Sequence, residues 1–115
     1  SQLYSIQEVS RCVPKQYDMY ILARYDCIIH NCLNYSQIDI NKLYCSNHHR
    51  NLPDMILSFG EKFLNWSQNL YDDIPIIYKE LKSPTPESFK KHSFLKRYID
   101  SDIRYCKMNA TALRG

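Results

Sequence analysis

Apolar side chains recur at helical intervals along most of the chain. In the strongest run, six of them follow one another at steps of three or four residues: Leu52, Ile56, Phe59, Phe63, Trp66 and Leu70. Residues spaced in this way share one face of a helix, so the run predicts a helix over residues 53–71 with Pro53 at its first position. Glycine within a helix costs about 1 kcal/mol relative to alanine, so Gly60 indicates a place where another backbone approaches closely.

Weaker periodicity predicts three more helices, over residues 5–13, 15–28 and 86–107. Thr85 is the expected N-cap of the last helix, and Pro86 suits its first position. The stripes of these helices are Leu3, Ile6, Val9 and Val13 in the first; Tyr17, Ile21, Arg24, Tyr25 and Ile28 in the second; and Leu95, Ile99, Ile103 and Cys106 in the last.

Composition supports the same picture. A chain of 115 residues suits one domain, and its 44% hydrophobic and 23% charged residues are values typical of globular proteins. The chain has only 2 glycines, whereas folds made of many short strands need glycine in their turns. We therefore predict a single all-α domain over residues 1–115, with about four helices. No apolar run approaches the roughly 18 residues of a membrane span, so we expect no association with a membrane.

Cysteine and histidine are concentrated between residues 27 and 50. Four residues separate Cys27 from Cys32, two separate Cys45 from His48, and a twelve-residue loop joins the two pairs. This layout is typical of structural zinc sites, in which each short pair places two donors on one ion. We therefore predict an inserted zinc loop over residues 27–50 with a structural Zn²⁺ bound by Cys27, Cys32, Cys45 and His48. Four protein ligands leave no position for a catalytic water.

Two alternatives for this cluster remain open. His30 or His49 could replace His48 as a ligand, because spacing does not tell which ring faces the ion. Alternatively, Cys27 and Cys45 could be small buried hydrophobic residues with no metal at all.

The same segment resembles a family of short Cys-Cys-Cys-His zinc knuckles. Their form is Cys-x4-Cys, a variable loop, and then an aromatic residue followed by Cys-x2-His, which here is Tyr44-Cys45-Ser46-Asn47-His48. These knuckles occur in accessory subunits of histone acetyltransferase and chromatin-remodelling complexes. The resemblance covers about 24 residues and implies the same four ligands, other protein subunits as partners, and the nucleus as location. The family's basic loop is missing, since residues 33–44 contain one lysine and one aspartate.

These observations lead to a functional hypothesis without catalysis. The chain contains no glycine-rich phosphate loop, no Gly-x-Ser-x-Gly elbow and no His-Glu-x-x-His pattern, so we predict neither enzymatic activity nor a small-molecule substrate. We predict a zinc-stabilised protein-interaction module that is a subunit or fragment of a nuclear chromatin or transcription complex.

Two other functions compete with this hypothesis. Three Asn-x-Ser/Thr sequons and five cysteines are typical of a secreted, disulfide-linked helical ligand, such as a viral or parasite product. The last third of the chain is basic, which favours contact with nucleic acid through the final predicted helix. The residues that would contact nucleic acid are Lys90, Lys91, Lys96, Arg97 and Arg104.

Overall fold

The chain folds into a mixed β-sheet with helices against one face. The computed structural model describes residues 2–29, 33–46, 52, 56–106 and 110–112. In chain order the elements are α1 (Gln2–Cys12), β1 (Tyr20–Ala23), β2 (Cys27–Ile29), β3 (Leu43–Ser46), β4 (Ile56–Phe59), α2 (Leu64–Ser67), α3 (Ile74–Tyr78), α4 (Pro86–Leu95), β5 (Ile103–Cys106) and β6 (Ala110–Ala112). In this described part, no helix has the length and apolar character needed to cross a membrane.

The four strands of the main sheet lie in the order β1-β4-β3-β5. β4 pairs antiparallel with both β1 and β3, and β5 lies parallel to β3. Parallel neighbours need a crossover connection, and here the segment between β4 and β5 contains α2, α3 and α4. β2 and β6 form a separate antiparallel ribbon.

The central strand β4 is buried along its whole length. Consecutive side chains of a strand point to opposite faces of the sheet. Phe59 faces the helices and packs edge-on against Trp66, with 6.1 Å between the ring centroids. Ser58 faces the other side, where its hydroxyl lies 3.1 Å from the hydroxyl of Tyr35. The sheet is therefore covered on both faces at β4, by helices on one side and by the loop before β3 on the other.

Aromatic rings fill the space between the sheet and the helices. Phe94 of α4 lies at the centre of this cluster, with ring centroids 5.5 Å from Phe63, 5.6 Å from Trp66 and 4.9 Å from Tyr98. The indole of Trp66 also donates a hydrogen bond to the carbonyl oxygen of Lys90 at 3.2 Å. Aromatic pairs of this kind contribute about 0.5–1.5 kcal/mol each beyond the burial of their area, so this cluster fixes α4 against the sheet.

The all-α prediction is wrong. Within the predicted helix 53–71, residues Ile56–Phe59 form a strand, and helical structure begins only after Gly60. The burial of Leu57 and Ser58 explains why the helix prediction fails here. In the predicted helix both residues would point away from the apolar face, but in the structure both are buried. A central strand whose two faces are both covered by other elements can bury consecutive residues. The six apolar residues of the run are nevertheless all buried.

The predicted helices 15–28 and 86–107 also differ from the structure. The first region forms β1 and the start of β2, and the tyrosines and isoleucines of its predicted stripe are exposed. The second begins as predicted, with Thr85 as N-cap and Pro86 in the first turn, but α4 ends at Leu95 and the chain returns as β5. Phe94 takes the core position there, and Ile99 is 64% exposed. The predicted helix 5–13 lies almost wholly within α1, which begins earlier.

Hydrogen bonds stabilise the described part of the predicted zinc loop. Asn34 Oδ1 accepts from the backbone N–H and the hydroxyl of Ser36, at 3.2 and 2.6 Å. The backbone N–H of Asp39 donates to the Tyr44 hydroxyl at 2.8 Å, and its own carboxylate accepts from the N–H of Asn41 at 2.9 Å. Hydrogen bonds within the segment and to Tyr44 therefore stabilise residues 33–42.

Gly60 lies where this loop crosses the end of β4. A Cβ atom at position 60 would overlap the carbonyl oxygen of Ile40. The sequence predicted a close backbone approach at this glycine, and the structure confirms it.

We expect Gly60→Ala to destabilise the protein. The obstacle is backbone, so the loop must shift, and overpacking of this kind costs about 1–3 kcal/mol. Alanine also restricts the unfolded chain, which returns about 0.4–1 kcal/mol. The expected net loss is roughly 1–2 kcal/mol in the free energy of unfolding, measured by urea denaturation. An unchanged urea midpoint would show that moving the loop costs no more than alanine returns by restricting the unfolded chain.

Candidate protein-binding cleft

Helix α1 is attached to the rest of the fold by a group of polar contacts at Asp72, in addition to the packing of Ile6 against the core. The buried amide of Gln7 donates to the carboxylate of Asp72 at 3.2 Å and accepts from the Asp72 backbone N–H at 2.9 Å. Arg11 donates to the same carboxylate at 2.7 Å and to the carbonyl of Gln68 at 2.8 Å. The most buried residues of α1 are thus Gln7 and Ser10, both polar.

Part of the apolar side of α1 faces an open cleft. Ile6 packs against the core but is only partly buried, and Val9, from the same predicted stripe, is 50% exposed. Beside them lies a cavity of about 610 Å³ between α1 and the end of β1. It is lined by Gln2, Ser5, Ile6, Val9, Leu22, Ala23, Arg24, Tyr25, Asp26 and Leu57. The mixture of an apolar floor and a few polar groups at the rim is typical of a binding site.

The floor of the cleft is the edge of the main sheet. Leu22 of β1 stands opposite Leu57 of β4, and both residues line the cleft. Within the described residues, β1 pairs with β4 alone, so its other edge presents unpaired backbone N–H and C=O groups. None of the four residues of β1 carries a charge. Ile21, on the face of the sheet away from the helices, is 51% exposed.

One end of the cleft is closed by an ion pair. Arg24 donates two hydrogen bonds to the carboxylate of Asp26, at 2.8 and 2.6 Å. These hydrogen bonds hold the pKa of the Asp26 carboxyl below its ordinary value. Between the two residues, Tyr25 projects fully into solvent. The rim therefore carries an internally neutralised pair and one exposed aromatic ring.

The other edge of the sheet is built differently. β5 carries Arg104, which is exposed and donates to the carbonyl of Ser101 at 3.0 Å. Charged residues on an edge strand discourage pairing with another chain. Of the two edge strands of the main sheet, as far as the structure describes it, β1 thus combines an open edge with the absence of charge and β5 does not.

The predicted zinc ligands fall in two places. Cys27 lies in the β2–β6 ribbon, where its thiol donates to the carbonyl of Arg24 at 3.0 Å. Cys45 lies in β3, fully buried among the core residues. Cys32 and His48, like the alternative ligands His30 and His49, lie outside the described residues. Among the residues that the structure does describe, no three potential ligands come together. The complete ligand set therefore stays a prediction.

The surroundings of Cys45 favour the alternative interpretation for this residue. It stands opposite Leu57 on one side and Tyr105 on the other, in a row that faces the helices. Burial raises the pKa of its thiol to about 12. The geometry favours Cys45 as a small apolar part of the core.

Most of the predicted nucleic-acid contacts are engaged within the protein. Lys91, Lys96 and Arg97 each pair with a carboxylate: Asp100 at 3.5 Å, Glu80 at 2.5 Å and Asp73 at 2.6 Å, respectively. Lys90 is fully buried, and Arg104 is exposed on β5. The five residues thus do not form one free cationic face.

Comparisons with protein-family models, with curated proteins and with solved structures found no match.

Sequence reasoning missed the cleft, because an apolar stripe shows which face of a helix is apolar but not what that face contacts. A signal was present in the polar residues Gln7 and Ser10, which occupy the face that α1 buries. Whether a helix buries its polar or its apolar face depends on what lies opposite, here Asp72.

The role of Cys45 can be tested by two substitutions. We expect Cys45→Ala to be tolerated better than Cys45→Ser, because a buried hydroxyl without a partner costs about 1–3 kcal/mol. We also expect the zinc content per chain, measured by mass spectrometry of the native protein, to be the same in both variants and the wild type. Equal loss of metal from both variants would instead make Cys45 a ligand.

The docking of α1 should weaken in acid. Hydrogen bonds from Arg11 and then Gln7 hold the pKa of Asp72 below its ordinary value of 3.8. The ionised carboxylate therefore contributes stability above about pH 4, and this contribution is lost as the pH falls through the lower folded-state pKa. We expect the amides of α1 to exchange hydrogen faster at low pH, relative to those of β4.

Asp72→Asn should make this exchange less dependent on pH. Asp26→Asn is the matched control, because Asp26 also pairs with an arginine, but that arginine is Arg24 rather than a residue of α1. An equal effect of the two substitutions on α1 would contradict the assignment.

Proposed function

We propose that this protein is a non-enzymatic interaction module that binds an extended apolar segment of a partner protein along β1. The observation that carries the proposal is the exposure of Val9 and, in part, of Ile6 beside a strand edge that is uncharged and, within the described residues, unpaired. The partner segment would add a strand to the sheet and place side chains in the cleft.

Two kinds of contact support this mode of binding. The backbone groups on the outer edge of β1 can form strand-to-strand hydrogen bonds with any extended chain, which provides affinity without selecting a sequence. The cleft provides selection, because side chains of an added strand alternate between the two faces. On the helical face they would meet Leu22, Ile6 and Val9, and on the other face they would meet Ile21.

The residues that line the cleft indicate the polarity and charge of the partner segment. An apolar side chain on the helical face would remove Val9 and Leu22 from water, at about 25 cal/mol for each Å² covered. The rim should attract neither positively nor negatively charged side chains strongly, because Arg24 and Asp26 already neutralise each other. We therefore expect segments with alternating apolar residues and little net charge.

The other parts of the functional hypothesis remain proposals. The stabilising zinc ion and the nuclear location rest on the spacing of cysteines and histidine and on the knuckle resemblance. For the secreted alternative, the four described cysteines Cys12, Cys27, Cys45 and Cys106 form no disulfide. For nucleic acid, the ion pairs described above occupy most of the cations. No observation favours either alternative over the cleft.

The proposal can be tested with a displayed library of random linear peptides. We expect selection on the folded protein to enrich peptides with alternating apolar residues. Ile21→Lys should weaken the binding of the enriched peptides at least about tenfold, because it places a charge on the edge strand. Since Ile21 is exposed, this change should leave the free energy of unfolding nearly the same.

Ile99→Lys is the matched control, because it makes the same substitution at a more exposed position beyond α4. It should leave peptide binding unchanged. Equal binding by the Ile21→Lys variant and the wild type would overturn the proposal. Enrichment of charged peptides in place of peptides with alternating apolar residues would overturn it as well.

A further inference from the structure

The edge strand β1 is complementary to itself. Its sequence is Tyr20-Ile21-Leu22-Ala23, with bulky apolar residues on both faces and no charge. The strand thus has the properties that the proposed function requires of its partner segment. The inference below rests on that proposed function and names one partner for it.

Symmetry makes this self-complementarity usable. Two copies of an edge strand can pair antiparallel about a twofold axis perpendicular to the sheet, and this axis keeps each face of the strand on the same side. With the axis at Leu22, this residue meets Leu22 of the partner subunit, and Ile21 meets Ala23 of the partner subunit. Apolar residues therefore meet apolar residues on both faces, and the two sheets join into one.

The charges near the axis do not oppose this arrangement. The first charged residue beyond β1 is Arg24, whose guanidinium is already paired with Asp26 in the same chain. Pairing therefore brings no uncompensated like charges together. The second edge strand, β5, lacks this property, because a twofold pairing there would bring two copies of the exposed Arg104 close to each other.

Strand pairing over four residues buries too little area for a stable dimer, which needs more than about 1,000 Å². The cleft supplies further area. α1 lies on the helical face next to β1, so the twofold axis would bring the α1 helices of both copies to the same side of the joined sheet. Ile6 and Val9 would then be covered from across the axis. On the opposite face, Tyr17 and Ile21 are exposed and available for the same purpose.

We propose that this chain forms a twofold-symmetric dimer in which β1 of one copy pairs antiparallel with β1 of a second copy and the two α1 helices flank the axis. The occupant of the strand edge is thus the same protein. Another protein that offers a matching strand binds by displacing the second copy.

Sedimentation equilibrium over a broad range of concentrations tests the dimer. We expect twice the mass of one chain at high concentration and dissociation on dilution. Ile21→Lys should raise the dissociation constant at least about tenfold, because two lysines then lie near the axis. Ile99→Lys, the matched control, should sediment like the wild type.

Hydrogen exchange locates the interface. Amides of β1 should become more protected as the concentration rises, and those on the outer edge of β5 should not. A monomer at every concentration, or a dimer with unchanged β1 protection, would overturn the dimer. If the monomer still binds the enriched peptides through Ile21, the proposed function survives; if β1 is protected neither by peptide nor by concentration, both proposals fail.

Discussion

The fold depends on burying four consecutive residues in β4. The backbone of Ile56–Phe59 is bonded to a strand on each side, and its side chains are covered on both faces. Leu57 and Phe59 provide the platform on which the aromatic residues of the helices pack, and Ser58 anchors the loop through Tyr35. Gly60 follows directly, because only a residue without a Cβ lets that loop cross the end of the strand. The helical layer and the loop layer thus both pack against this strand.

The open edge of β1 is a consequence of this arrangement. β4 supports β1 from one side only, and within the described residues no further strand follows. α1 lies next to this edge but is held through Gln7 and Arg11 to the carboxylate of Asp72. Its apolar residue Ile6 also packs against the core, whereas Val9 stays half exposed, and the cleft is the space left between the helix and the strand.

Much of the core could be predicted from the sequence, but not the elements that build it. All six residues of the run from Leu52 to Leu70 are buried as expected, yet part of the run is a strand. Positions 56 and 59 are only three positions apart, and a strand that is buried on both faces accommodates such short spacing as easily as a helix does. The signals that held, Thr85 as a helix cap and Gly60 as a close approach, each depend on the properties of a single residue type. The signals that failed, such as the stripe of α1, depend on a partner distant in sequence.

The weak attachment of α1 also connects stability with binding. Leaving Ile6 and Val9 partly in water forgoes hydrophobic stabilisation of about 25 cal/mol per Å², while hydrogen bonds contribute a net stabilisation of only about 1 kcal/mol each. Asp72, on which several of these bonds converge, is itself half exposed, so its ion pair with Arg11 is screened by solvent. A partner that covers the apolar stripe therefore adds the stabilisation that the isolated chain lacks. By mass action, whatever fills the cleft also holds α1 in place, so the order of this helix and the occupancy of the strand edge are one equilibrium.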